Sequence, residues 1–162
     1  MTHLIRTTAL VTAMATAAGA ATMVQEIDVN ADVSALDNSE AVAVWTDLEA
    51  DLETALAAKL VNQIAEEEME DAAEIDIDVD TVALASSFET EMGIANSVLE
   101  GDVSVDLPGN QYDQRYTLTV TAEQANIYYP EGTDVTTLNV GSDVFYTAMV
   151  DAFATHVAEK LK

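Results

Sequence analysis

Residues Glu74–Thr81 read EIDIDVDT, and the architecture turns on whether these four carboxylates hold a metal or face water. Ile75, Ile77 and Val79 alternate with Glu74, Asp76, Asp78 and Asp80. A period of two describes a strand with one face in a core and the other in solvent. The D-x-D-x-D of Asp76, Asp78 and Asp80 has the opening of a calcium loop. Such a loop needs glycine at its sixth position and a carboxylate at its twelfth. Those positions hold Thr81 and Ser87, so an enclosing EF-hand site is excluded. Weak, multi-site association of calcium or magnesium in the millimolar range is left, with Asp76, Asp78 and Asp80 as its candidate ligands.

The same alternation recurs on both sides of this stretch. Residues 24–33 place Ile27, Val29, Ala31 and Val33 against Glu26, Asp28, Asn30 and Asp32. Further strands are predicted over 73–85, 97–107 and 114–123, with Val103, Val105, Leu107, Tyr116, Leu118 and Val120 on their apolar sides. Between the first two strands, Trp45, Leu48, Leu52, Leu56, Leu60 and Ile64 recur at three- and four-residue steps. That spacing predicts one amphipathic helix over 39–69, with Asn38 or Ser39 as its N-cap. A last helix starts near Ser142 and Asp143, buries Phe145, Met149, Phe153 and Val157, and ends on Lys160 and Lys162, where cations suit the helix dipole. LPGN (107–110) and YYPEGT (128–133) are turn chemistry. The order β-α-β-β-β-α predicts an α+β two-layer sandwich, with helices on one face of a mostly antiparallel four-stranded sheet. The first helix serves as a crossover if strands one and two are parallel.

With the apolar sets turned to the helices, the opposite face gathers the acids of the first three strands and Thr117, Thr119 and Thr121 of the fourth. Alternation alone explains this face, since a sheet covered on one side is polar on the other. The pattern breaks at Val82, Leu84 and Val98, which are apolar at outward positions. Either they form an exposed patch that contacts a partner, or a β-bulge returns them to the core, or Phe88 and Met92 fold over them.

The N-terminus points to export. Arg6 precedes the small, apolar run TTALVTAMATAAGA, and Ala18-Gly19-Ala20 has the small-x-small pattern of a signal-peptidase site. Residues 1–20 are therefore expected to be a secretory signal peptide cleaved before Ala21, followed by a single domain over 21–162 in the periplasm or outside the cell. The chain has no cysteine, which excludes disulfides and a lipid anchor on a mature N-terminal thiol. Its net charge is −25, and removing residues 1–20 takes away Arg6 and no acid, which makes it −26. Such a charge excludes nucleic-acid binding through phosphates and is repelled by anionic membrane surfaces. No later segment has the roughly 18 apolar residues of a membrane span. The composition is 49% hydrophobic, which separates it from a disordered acidic tail. A signal peptide followed by so acidic a domain resembles small secreted proteins of marine or salt-adapted bacteria. The resemblance implies a solvated, salt-tolerant surface and no particular chemistry.

Catalytic signals are sparse. After the signal peptide His156 is the single histidine, on the last helix beside its apolar stripe. Zinc sites draw on several His or Cys, and no glycine-rich phosphate loop is present. Carboxylates are so numerous that any chosen pair is uninformative as acid and base. Tyr112, Tyr116, Tyr128, Tyr129 and Trp45 do not form a sugar-binding platform. The chain reads as a non-enzymatic accessory protein with no cofactor beyond weak calcium or magnesium. It acts by binding another envelope protein or itself. The alternatives are a small carboxylate-dependent hydrolase and a structural component of an envelope assembly. A hydrolase calls for a concave site with a carboxyl of raised pKa.

Overall fold

Strand β2 (Ala73–Ala83) carries the opening stretch and lies between β1 (Val24–Ala31) and β3 (Val98–Asp106), with β4 (Gln114–Thr121) completing the sheet in the order β1-β2-β3-β4. The computed structural model describes residues 22–36, 39–66, 69, 71–84, 94–109 and 113–161. The signal peptide with its cleavage point, the Asn38 cap, Ser87, Phe88 and Met92 lie outside them. Ile75, Ile77 and Val79 are buried, and Asp76, Asp78 and Asp80 are exposed, as the alternation requires. β1 and β2 run parallel, and the other two pairs are antiparallel. A parallel pair needs a crossover, here α1 (Ser39–Trp45) and α2 (Leu48–Lys59). The expected α+β architecture is the observed one.

The single helix expected over 39–69 is corrected to two. Residues Thr46 and Asp47 break it, and α2 ends at Lys59. Trp45 and Leu48 are three residues apart, so the apolar stripe continues across the break: Trp45, Leu48, Leu52, Leu56 and Leu60 are all buried. Ile64 does not close that stripe. It forms a parallel bridge with Val24, and the Val24 N–H donates to the Gln63 carbonyl at 2.7 Å. The helix stops because the chain must turn to meet the start of β1.

Helix α4 (Asp143–Lys160) is buried on most of its circumference, with Phe145, Met149, Phe153 and Val157 all fully buried. Ala148, Ala152, Ala154 and Ala158 are buried too, and their small side chains let neighbours approach. Those neighbours are α2, the strands β3 and β4, the short α3 (Ala122–Ala125) and the 3₁₀ turn Asn126–Tyr128. A helix that is apolar all round belongs in an interior. Two polar links tie α4 to α2. The Tyr146 hydroxyl donates to Asp51 at 2.6 Å, and Lys59 pairs with Asp151 at 3.1 Å. Burial, and then the adjacent Asp51, push the Tyr146 hydroxyl well above its ordinary pKa. Among the described residues, no helix is long and apolar enough to cross a membrane.

Two local devices shape the sheet. The first is a β-bulge in β2. Asp78 pairs with Asp102 and Thr81 with Glu100, so Val79 and Asp80 together oppose Gly101. A Cβ on Gly101 would lie 2.9 Å from the Asp78 carbonyl oxygen and 3.2 Å from the Val79 Cα. Glycine is therefore what lets the bulged backbone close on β3. The second device lies on the free edge of β1. Glu53 accepts from the Val29 N–H at 3.4 Å, and Glu49 accepts from the Ala31 N–H at 2.9 Å. Carboxylates of α2 thus occupy donor positions that a further strand would use.

Candidate functional site: the open face of the sheet

The helices cover one face of the sheet, and the register arranges the other in rows. Glu26, Glu74 and Asp106 stand side by side, as do Asp28, Asp76, Ser104 and Arg115, and then Asn30, Asp78, Asp102 and Thr117. Like charges directly opposed across strands are destabilising. The face relieves part of this with its own polar groups. Thr117 donates to Asp102 at 2.6 Å, Thr119 donates to Glu100 at 2.5 Å, Gln25 donates to Glu74 at 2.7 Å, and Asn30 donates to Asp28 at 2.9 Å. Arg115 lies 3.9 Å from Asp106. Neither the threonine hydroxyls nor Arg115 shows as a partner in the alternation; both emerge from the register of β4 on β3.

A trough of about 480 Å³ runs over the middle rows, lined by Asp76, Asp78, Asp102, Ser104, Arg115 and Thr117 among others. Asp76 lies in it with its pKa raised from the ordinary 3.8. Partial desolvation is the main cause, followed by the charges of Asp106, Asp28 and Glu74, with Arg115 acting in the opposite sense. The folded protein therefore holds this proton more tightly than the unfolded chain. Below pH 3.8 both forms are protonated and no penalty exists. As pH rises from there the unfolded chain ionises first, so stability falls until Asp76 itself has ionised. Asp76→Asn is expected to stabilise the protein at neutral pH by a few tenths of a kcal/mol, a small figure because the side chain is exposed and screened. The gain should vanish below pH 3.8 and shrink with added salt, as read from paired thermal melts.

The candidate metal ligands are only partly brought together. Asp76 and Asp78 share the open face, whereas Asp80 lies in the bulge without a β3 residue of its own. Among the described residues, no group of three His, Cys, Asp or Glu is placed to hold a metal ion. Melting temperature should rise between low salt and ~0.5 M NaCl, where the Debye length is about 4–5 Å. Millimolar calcium should add little beyond its ionic strength. A saturable shift with a micromolar midpoint would contradict this and reveal a specific site.

Val82, Leu84 and Val98 do not form one patch. The bulge reverses the parity of β2, so Val82 pairs with buried Leu99, and both Val82 and Leu84 pack against the core. Val98 stays on the open side, half-buried between its register neighbours Ala83 and Thr121. His156 uses Nδ1 within its own helix, 2.7 Å from the Ala152 carbonyl oxygen. The Tyr116 and Tyr129 hydroxyls are buried without a hydrogen-bond partner. Burial pushes Tyr116 up to about 12 and Tyr129 also upward.

No protein-family model matches the chain, and no curated protein does. A solved structure described as "Crystal structure of uncharacterized protein" is similar over 86% of this chain and 87% of its own, at 12% identity and a TM-score of 0.38, a likeness too slight to carry an argument.

Proposed function

We propose that this is a secreted or periplasmic, non-enzymatic binding protein whose open sheet face receives a cationic partner, such as a Lys- and Arg-rich protein surface. The observation that supports this reading is the rowed arrangement of carboxylates on paired strands, with a trough over the middle rows. Side chains on strands are held at fixed spacing, so a complementary basic surface meets a preformed pattern. Mobile cations would modulate such binding by screening it. Export follows from the pattern at residues 1–20.

The test compares two charge-matched variants. Asp78→Lys with Asp102→Lys alters the open face, and Glu123→Lys with Glu159→Lys alters exposed positions on the helix side. Binding of a Lys/Arg-rich peptide, followed by calorimetry at physiological salt, should be lost in the first variant and largely retained in the second. Equal losses in both would mean that net charge alone attracts the peptide, and the reading would fall.

One observation favours a second reading, a carboxylate-dependent hydrolase: Asp76 has a raised pKa and lies in the trough. Its side chain is exposed to water and the trough is open, whereas hydrolytic sites enclose their substrate. Turnover of ester, phosphoester or glycoside substrates that disappears in Asp76→Asn would establish this alternative.

A further inference from the structure

The two edges of the sheet differ. On β1 the outward N–H groups of Val29 and Ala31 are taken by Glu53 and Glu49. On β4, among the described residues, no side chain from a neighbouring helix caps the backbone groups facing away from β3; the Thr121 N–H, at the strand's end, bonds to Gln124 of the next turn. β4 is also the one strand of the four without Asp or Glu. Its sequence is QRYTLTVT, whereas β1, β2 and β3 each carry at least two acids. Its inward residues Tyr116 and Leu118 are only half-buried, with the Lys160 ammonium 5.6 Å from the centre of the Tyr116 ring, so the helix layer covers the apolar surface at this edge incompletely. Ile127, 82% exposed, lies in the turn after α3, which packs on α4 on the β4 side.

We infer that β4 is a self-association edge, where two copies pair antiparallel into one continuous eight-stranded sheet. The charge pattern decides the occupant. A cationic partner gains most at the carboxylate rows, whereas an equally acidic second copy can approach closely only where acids are missing. Parity fixes the register. For inward residues to face the same side in both copies, the paired numbers must sum to an even value, which leaves two registers of seven paired residues, centred on Thr117 and on Leu118. The second keeps the like-charged Arg115 side chains farther apart and is the one proposed. Leu118 then meets Leu118, Thr117 meets Thr119, and Arg115 meets Thr121 of the second copy. The two Arg115 side chains lie six residues apart along the joint, about 20 Å, beyond the screening length in physiological salt. Asp113 and Glu123 flank β4 at its two ends, so the pair needs salt to form. A joint of seven paired residues is small, and the dimer is weak.

The absence of native cysteine gives a direct test on the full chain. At the two-fold axis Leu118→Cys places two thiols opposite one another, within the Cα separation a disulfide spans. In ~1 M NaCl under mild oxidation it should cross-link at least tenfold faster than Val61→Cys, a thiol at a 68% exposed position elsewhere. The unaltered protein should sediment as a concentration-dependent dimer at high salt and as a monomer at low salt. Its β4 amides should gain hydrogen-exchange protection as concentration rises. Equal cross-linking rates, a monomer at ~100 µM in high salt, or a dimer whose added protection lies elsewhere would each overturn the proposal.

Discussion

Replacing Trp45 by alanine should destabilise the protein by about 3–5 kcal/mol, the range for removing a large aromatic side chain from a core. Trp45 is fully buried at the end of α1, with its ring 5.1 Å from that of Tyr146 in an edge-on arrangement and 6.2 Å from that of Phe145. Its indole N–H donates to the Val140 carbonyl at 3.0 Å. The substitution therefore opens a cavity and also leaves that carbonyl without its donor, two costs that compound. Trp45→Phe keeps most of the volume and loses the hydrogen bond, so a smaller cost of about 1–2 kcal/mol is expected. Against a total stability of about 5–15 kcal/mol, the alanine variant approaches the threshold of unfolding. Urea melts followed by circular dichroism measure both, since the protein's single tryptophan is the residue removed. An alanine variant within 1 kcal/mol of the parent would contradict the packing described for α1, α4 and the loop before α4.

Gly101→Val should have a comparable effect, about 3 kcal/mol or more, through a different mechanism. The added Cβ meets the backbone of Asp78 and Val79, which cannot swing aside as a flexible side chain can. Overpacking against fixed atoms costs about 1–3 kcal/mol, and the branched side chain adds to it. The remaining escape is to expel the bulge, which would restore the uninterrupted parity of β2 and turn Val82 and Leu84 to the open face. Either outcome lowers the melting temperature, and the second also exposes apolar surface to a hydrophobic dye. Gly101→Ala should fall between the parent and valine. A valine variant that melts with the parent would mean that β3 and the bulge do not approach so closely.

The strands were legible because one side of the sheet is dry and the other wet, and Ile75, Ile77 and Val79 carry that contrast without ambiguity. The two-helix crossover was not. A stripe read by spacing passes unchanged through Thr46 and Asp47, because three residues separate Trp45 from Leu48 whether or not the helix is continuous. Ile64 was misplaced for a related reason. It fits the stripe by number, and only the requirement that the chain return alongside Val24 takes it out of the helix. The bulge left its mark in the sequence as the apolar residues Val82 and Leu84, with Gly101, directly opposite it on β3, as the complementary signal. Of the open face, the composition was readable and the pairing was not: that Thr117 serves Asp102 and Thr119 serves Glu100 depends on the register, which alternation leaves undetermined. The roles of Glu49 and Glu53 were hidden for the same reason, since on a helix face they look like ordinary solvated acids.

Those two glutamates have a consequence for growth. A sheet with both edges free can add copies end on end without limit, as fibrils do. Here Glu49 and Glu53 act as a chain terminator built into the fold: among the described residues, α2 gives the Val29 and Ala31 N–H groups two acceptor oxygens and offers that stretch of β1 no donor in return. Among the described residues β4 is the edge left open, so a pair joined there would present two terminated edges to solvent. The proposed pair would therefore be closed at its first step, and a chain that is nearly half hydrophobic would carry its own stop against polymerisation.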